Sequence, residues 1–341
     1  MSRGKLPTIL LAHGGGGRLT HELVAQAFLP AFRNPALETL SDSALLPELP
    51  PGRPALTTDA FVVDPVVFPG GDLGYLSVCG TVNDLAVAGA RPIALTFALI
   101  LEEGLDGALL EQLVAGAARA AAEAGVAIVA GDTKVVPRGK GDRAFATTAG
   151  LGVVPVGRDL GDHRVAPGDV LLVSGPIADH GATILACRHG LSGQRLISDC
   201  APLGGLVEAL LGSGADVHAM HDPTRGGVAT TCNEVAGRAG VRIVLEESAV
   251  PVRPEVIGVS ELLGLDPLYI ACEGRVLAWV AAADADRALE ALRGHPQGQG
   301  AAAIGRVEAL RPGQVPVALR SAYGVERPLD VLSGSELPRI C

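Results

Sequence analysis

Apolar residues recur at Leu76, Cys79, Val82 and Leu85, a spacing that predicts a helix over residues 75–88 with the polar pair Asn83-Asp84 inside it. Short apolar runs predict strands over 54–58, 93–101, 126–130 and 145–154, and an alanine-rich stretch predicts a helix over 107–124. Strands and helices therefore alternate, which predicts an α/β layer structure for the first half. Residues 156–168 are polar and rich in turn formers, and they mark the expected domain boundary. Beyond it, strands predicted over 170–174, 216–220, 241–245, 269–272, 276–281 and 302–307 are interleaved with helices over 181–189, 203–211, 227–239 and 284–293. From about Gly324 onward Pro, Gly, Ser and charge are mixed without either period, as in a flexible arm or a frayed end. At ~3.3 Å per residue such an arm extends roughly 50 Å.

Composition narrows this picture. The 341 residues suffice for two ordinary domains, and 19% charged with 3% aromatic residues implies aliphatic cores. A net charge of −10 argues against nucleic acid or an anionic membrane as partner, though a polyphosphate bridged by metal ions stays compatible. No apolar run reaches the roughly 18 residues of a membrane span, and no signal-peptide core follows Met1-Ser-Arg-Gly-Lys5. Six cysteines without a C-x-x-C pair suit a reducing cytoplasm.

The candidate chemistry lies in where the acids fall. Asp42 follows Ser41 in a turn, Asp59 is expected to end a strand, Asp84 sits in a greasy helix, and Asp132 is expected to end a strand in Gly131-Asp132-Thr133-Lys134. An isolated buried charge costs several kcal/mol, so a cation should neutralise the set, and hard oxygen ligands suit Mg²⁺ bridging to phosphate. Lys134 could then steady a transferring phosphoryl group. Residue by residue, the plainer reading is a turn or cap for Asp42 and Asp59, an Arg91 partner for Asp84 and a solvated Lys134.

His13-Gly-Gly-Gly-Gly-Arg18 lacks the Lys-Ser/Thr of a Walker loop, yet four glycines can wrap backbone N–H groups around phosphate or form a hinge. His221-Asp222-Pro-Thr-Arg225-Gly226-Gly227 lies between a strand and a helix N-terminus, where amides favour anions, or is an ordinary turn with Asp222 as cap. Glu273 is a carboxylate where two strands are expected to meet, either a general base or a hairpin residue. Cys341, last in Pro338-Arg339-Ile340-Cys341, is a poor packing residue and a good attachment point.

Thr58-Asp59, Asn83-Asp84, Gly131-Asp132-Thr-Lys134, His221 to Gly227 and Cys272-Glu273-Gly274 together resemble the ATP-binding superfamily of aminoimidazole ribonucleotide synthetase, selenophosphate synthetase and thiamine monophosphate kinase. Within it, residues 13–18 and the terminal Pro-Arg-Ile-Cys are similar to the HypE family of hydrogenase maturation carbamoyl dehydratases.

The resemblance implies an α/β (α+β) PurM-like architecture: a dimerising ATP-binding domain over 1–155, a second PurM-like domain over 165–322, and a flexible tail over 323–341. It implies a homodimer, with ATP bound at domain and dimer surfaces, HypF as carbamoyl donor to Cys341, and delivery of cyanide to the HypC–HypD complex. ATP and Mg²⁺ are the implied cofactors. Asp42, Asp59, Asp84, Asp132 and Asp222 are carried over as metal and phosphate carboxylates, with Asn83, Arg225 and Gly226 beside the nucleotide. Lys134, Glu273 and Cys341 are carried over as the catalytic groups. A superfamily kinase or synthetase with an idle Cys341, and a non-catalytic scaffold, are the alternatives.

Overall fold

The computed structural model describes residues 6–191, 196–331 and 339–341. Pro338, part of the terminal motif, lies outside the described residues. Two compact units emerge, one of Met1–Leu85, Ala90–Val156 and Cys341, the other of Ala86–Gly89 and Gly157–Ile340.

The first unit opens with helix α1 (Arg18–Leu23), a π-helical turn (Val24–Phe28) and helix α2 (Leu29–Phe32). Pro30 has no N–H to return to the preceding turn, which accounts for the widened register there. Then follow β1 (Gly52–Phe61), β2 (Val67–Phe68), β3 (Gly71–Asp72), α3 (Leu73–Val87), β4 (Arg91–Glu102), α4 (Gly107–Ala124), β5 (Ala127–Val136) and β6 (Ala144–Pro155). Four of these strands form one sheet in the order β1-β6-β4-β5, and among those pairs only β4 and β5 run parallel.

Helix α3 is almost wholly buried, because two glycines let neighbours approach it. A Cβ on Gly74 would lie 1.8 Å from the Leu113 carbonyl of α4, and one on Gly150 of β6 would meet Thr81 at 2.8 Å. The α4 termini follow from sequence: the Asp106 side chain accepts from Ala108 N–H, and Gly125 closes the helix in the left-handed region. Away from α3 the sheet is open, with Leu56 78% and Ile100 38% exposed.

The second unit contains β7 (Val170–Val173), α5 (Asp179–Arg188), α6 (Gly204–Gly212), β8 (Val217–His221), α7 (Gly227–Ala239), β9 (Val241–Glu246), α8 (Pro254–Leu263), β10 (Leu277–Val280), α9 (Ala285–Gly294), β11 (Ala302–Ala309), β12 (Val317–Arg320) and β13 (Glu326–Pro328). Its sheet runs β13-β12-β9-β11-β7-β10-β8, antiparallel except for β12 beside β9. Period-two alternation sends Leu171, Val173, Leu277 and Trp279 into a core with α5, α7 and α8, while Leu172, Ala278 and Val280 enter a core with α6 and α9. Covering both faces explains why these strands read as unbroken apolar runs.

Several expectations are corrected. Residues 269–272 are not a strand: Asp266 caps a 3₁₀ turn over Pro267–Tyr269, and Cys272 N–H donates to the Pro223 carbonyl instead of a ladder. Asp59 lies within β1 and Asp132 within β5 rather than at their ends. The segment after Gly324 contributes strand β13, held because Arg242 and Arg320 both pair with Glu326. That charge looks like a solvated tail in sequence and is an edge clamp in the fold.

Candidate functional site

In the first unit, a pocket of about 600 Å³ lies against β5 and under the α1–α2 segment. Its lining includes Gly14, Gly16, Asp42, Asp132 and Lys134, so residues far apart in sequence share one cavity. Gly14 makes this possible: a Cβ there would lie 2.5 Å from the backbone nitrogen of Val135, and only glycine lets the loop rest on β5. His13, by contrast, is buried and accepts from Leu10 N–H through Nδ1 at 2.9 Å, which makes it part of the loop's support. Lys134 Nζ donates to Asp132 Oδ1 at 2.8 Å, and that bond, foremost, holds the Asp132 carboxyl below the ordinary range. The rim therefore carries a cation and an ionised carboxylate, both well exposed.

A second group lies between β1 and α3. Thr57 and Asp59 share a face of β1, and Thr81 and Asp84 are one turn apart on α3. Thr57 Oγ1 donates to Asp84 Oδ2 at 2.6 Å, Thr81 Oγ1 lies 3.4 Å from Asp59 Oδ2, and Asn83 is buried beside them. Burial raises the Asp84 carboxyl, opposed by its bonds with Thr57 and with Asp59. Asp84 is thus held by Thr57 and Asp59 and not by the Arg91 considered from sequence.

In the second unit, Asp222, Arg225 and Gly226 occupy the β8–α7 turn. Gly226 and Gly227 are both left-handed, and a Cβ on Gly227 would lie 2.6 Å from the Leu268 carbonyl, so this helix N-terminus is built around two glycines. His221 turns away to Asp162 at 2.7 Å and packs edge-on against Trp279. Glu273 is 2% exposed, and its N–H donates to Asp199 Oδ1 at 3.1 Å.

Around Glu273 stands a buried charge cluster that sequence reading missed. Arg275 lies 3.5 Å from Asp179 and 3.6 Å from Asp199, and Arg253 donates to Asp179 at 3.0 Å. The available signal was Asp179 at the start of α5 and Asp199 between Ser198 and Cys200, two acids in otherwise apolar surroundings. Burial, then the Asp199 charge, lifts Asp179 to about 6 against the pull of both arginines. The folded state therefore binds this proton more tightly than the unfolded chain, where the group titrates near 3.8. Its contribution to stability is full below that value and is lost as pH rises through about 6. Asp179→Asn should remove a decline on the order of 2 kcal/mol between those limits, read by urea unfolding at pH 4 and pH 7. An unchanged pH dependence would show that the carboxyl stays ionised throughout.

Cys341 groups with the first unit, where Val62 N–H donates to its carbonyl at 3.2 Å. Among the described residues no three His, Cys, Asp or Glu side chains gather as a metal-holding group. The five aspartates of the sequence reading are instead distributed: Asp42 and Asp132 in the pocket, Asp59 and Asp84 at the α3 pair, Asp222 at the α7 turn. No described helix is long and apolar enough to cross a membrane.

Residues 41–154 match the family model described as AIR synthase related protein, N-terminal domain, and residues 166–317 match its C-terminal domain. Carbamoyl dehydratase HypE of Rhodobacter capsulatus is 51% identical over 337 residues, covering 98% of both chains. A crystal structure of hydrogenase maturation protein HypE in complex with ATP superposes with a TM-score of 0.93 at 47% identity, covering 98% of this chain and 100% of that one. A HypE–HypF complex structure superposes with a TM-score of 0.79 at 41% identity, covering 93% of this chain and 100% of its counterpart.

Proposed function

Since this chain belongs to the HypE family of carbamoyl dehydratases, we propose that it uses ATP to dehydrate an S-carbamoyl group on its own Cys341 to a thiocyanate, in hydrogenase maturation. The observation that carries this reading, beyond membership, is the pocket that joins a glycine loop to Asp132 and Lys134.

Neutral amide oxygen leaves badly. Transfer of the γ-phosphoryl group of ATP to the oxygen of –S–C(=O)–NH₂, with loss of one N–H proton, gives –S–C(OPO₃)=NH and ADP. Loss of the second N–H proton and departure of phosphate leave –S–C≡N. Lys134 is the cation for the transferring phosphoryl group, and the glycine loop supplies backbone N–H groups to the nucleotide. Glu273 takes a proton from nitrogen, because Lys134 already donates to Asp132 and is engaged as a cation.

The donor set fits Mg²⁺, which binds one or two carboxylates together with phosphate oxygens: Asp42 and Asp132 share a pocket, and Asp59 and Asp84 form a second pair. When bound, the ion would offset phosphate charge. Asp222, with Arg225 and Gly226, is the anion-facing turn of the second unit.

HypF is the proposed carbamoyl donor, in keeping with the HypE–HypF complex of a relative. The HypC–HypD complex is the proposed acceptor of cyanide, and the cytoplasm the proposed compartment. A second copy of this chain would cover the open sheet face at Leu56 and Ile100.

Mass spectrometry of the C-terminal peptide after incubation with HypF, carbamoyl phosphate and MgATP tests the reading. Carbamoylation of Cys341 followed by ATP-dependent loss of one water is expected. Carbamoyl peptide that persists with ATP present and no ADP formed would overturn it.

A further inference from the structure

The second unit holds a cavity of about 510 Å³ that the dehydration does not use, between the end of α8, the 3₁₀ turn over Pro267–Tyr269 and the β12–β13 edge of the sheet. A volume of this size is usual for a small-ligand site. Val252, Leu268 and Leu319 give it apolar walls. Three carboxylates, those of Glu247, Glu261 and Asp266, share the lining with one cation, Arg327.

That cation is already engaged. Arg327 donates to Asp266 Oδ2 at 3.0 Å, and Asp266 Oδ1 accepts from Leu268 N–H at 3.0 Å. Glu247 and Glu261 are exposed, and neither has an ion-pair partner among the described residues. Gly264, left-handed at φ 70°, ends α8 beside them, and the last turn of that helix carries no basic side chain. The negative end of the helix dipole therefore adds to the charge of the two free carboxylates.

Ser260, in the same last turn, is an independent sign of a ligand. It lines the cavity and is 2% exposed, yet its hydroxyl has no hydrogen-bond partner among the described residues. A serine in a helix can return its hydroxyl to the carbonyl four residues earlier, here that of Val256, and Ser260 does not. A buried hydroxyl left without a partner costs stability, and alanine would fill the position without that cost. The group is explained if something in the cavity bonds to it.

We propose that this cavity binds an organic cation, a guanidinium or ammonium head on an apolar stem of about four carbons, with Glu247 and Glu261 as counter-charges and the Ser260 hydroxyl as an acceptor. The stem lies against the aliphatic walls, which a bare inorganic cation would leave unfilled. A free alkylguanidine or alkylamine and the arginine or lysine side chain of another protein present this same chemistry. The site is independent of the dehydratase reading, and it is assayed without ATP or HypF.

Isothermal titration of the full-length chain with butylguanidinium, and with its neutral isostere butylurea, reads the need for charge. Butylguanidinium should bind at least about tenfold more tightly, as expected where charge-assisted hydrogen bonds are made. Glu247→Gln and Glu261→Gln should each weaken it about twofold to fivefold. Glu290→Gln, at an exposed position of α9 outside the cavity, should leave it unchanged. Ser260→Ala should weaken binding while the midpoint of urea unfolding holds or rises, a combination that a serine serving only the fold does not give.

Acetyl-arginine methylamide separates the two sources. Tighter binding than butylguanidinium marks a protein side chain as the occupant, and weaker binding marks a free alkylguanidine or alkylamine. No binding of butylguanidinium, or binding no tighter than that of butylurea, overturns the site. Equal weakening by Glu290→Gln and Glu261→Gln also overturns it, in favour of general attraction to a chain of net charge −10. An unchanged affinity in Ser260→Ala overturns the part given to the hydroxyl.

Discussion

Cys341→Ala should bind ATP as the parent chain does, accept no carbamoyl group, form no ADP in response to HypF and carbamoyl phosphate, and leave the hydrogenase without its cyanide ligands. The effect is all-or-none because no other thiol can stand in. Burial pushes Cys232 and Cys272 far up, with the Asp199 charge adding to the second, and Cys187 is raised as well. Cys272 Sγ also accepts from Ala178 N–H, which fixes it as a structural sulfur. Cys79 and Cys200 are buried. Cys341 is partly exposed, as Cys187 is, and is the proposed attachment point, where losing one sulfur removes little packing. Equilibrium nucleotide binding, ADP release and intact mass together check the expectation. Residual carbamoylation of the variant would relocate the attachment site and end the tethered mechanism.

What sequence reveals here depends on the range of the force involved. Helix α4 is read correctly to both ends because Asp106, the alanine run and Gly125 are local signals acting within one turn. Lys134 and Asp132 are placed together for the same reason, two residues apart on one strand. The glycine loop in the pocket is a different matter: it is set by Gly14 meeting Val135, more than a hundred residues away, and no local pattern shows that approach. The α1–α2 segment over the pocket escapes because a π turn breaks the 3.6-residue period. Strand β13 escapes because its stabilising partners, Arg242 and Arg320, come from other strands. Fold class survives such losses, since period-two runs and their alternation with helices are numerous. The buried Asp179–Arg275–Asp199 cluster does not, because a pair of acids looks alike in sequence whether solvated or enclosed.

That cluster bears on the second large effect. Glu273→Gln keeps the side-chain volume and removes the proposed base, and it should slow dehydration about 10²–10⁴-fold, the usual contribution of a positioned general base. Carbamoylation of Cys341 should proceed at the parental rate, so carbamoyl peptide accumulates. The backbone around residue 273 is unusually fixed: a Cβ on Gly274 would lie 1.7 Å from the Asp199 carbonyl oxygen, and Asp199 also receives Glu273 N–H. Arg275, next along, is tied to the Gly274 and Pro176 carbonyls and to the two aspartates. A carboxylate on so rigid a turn loses little entropy when it meets a substrate proton, which is what makes a base effective. Lys134→Ala should differ in kind. Removing the cation should suppress ADP formation itself, whereas Glu273→Gln should permit phosphoryl transfer and block the collapse to nitrile. Single-turnover measurement of ADP and thiocyanate separates the two, since ADP without thiocyanate marks the lost base and neither product marks the lost cation. A Glu273→Gln chain that forms thiocyanate at the parental rate would return the base role to Lys134 or to water.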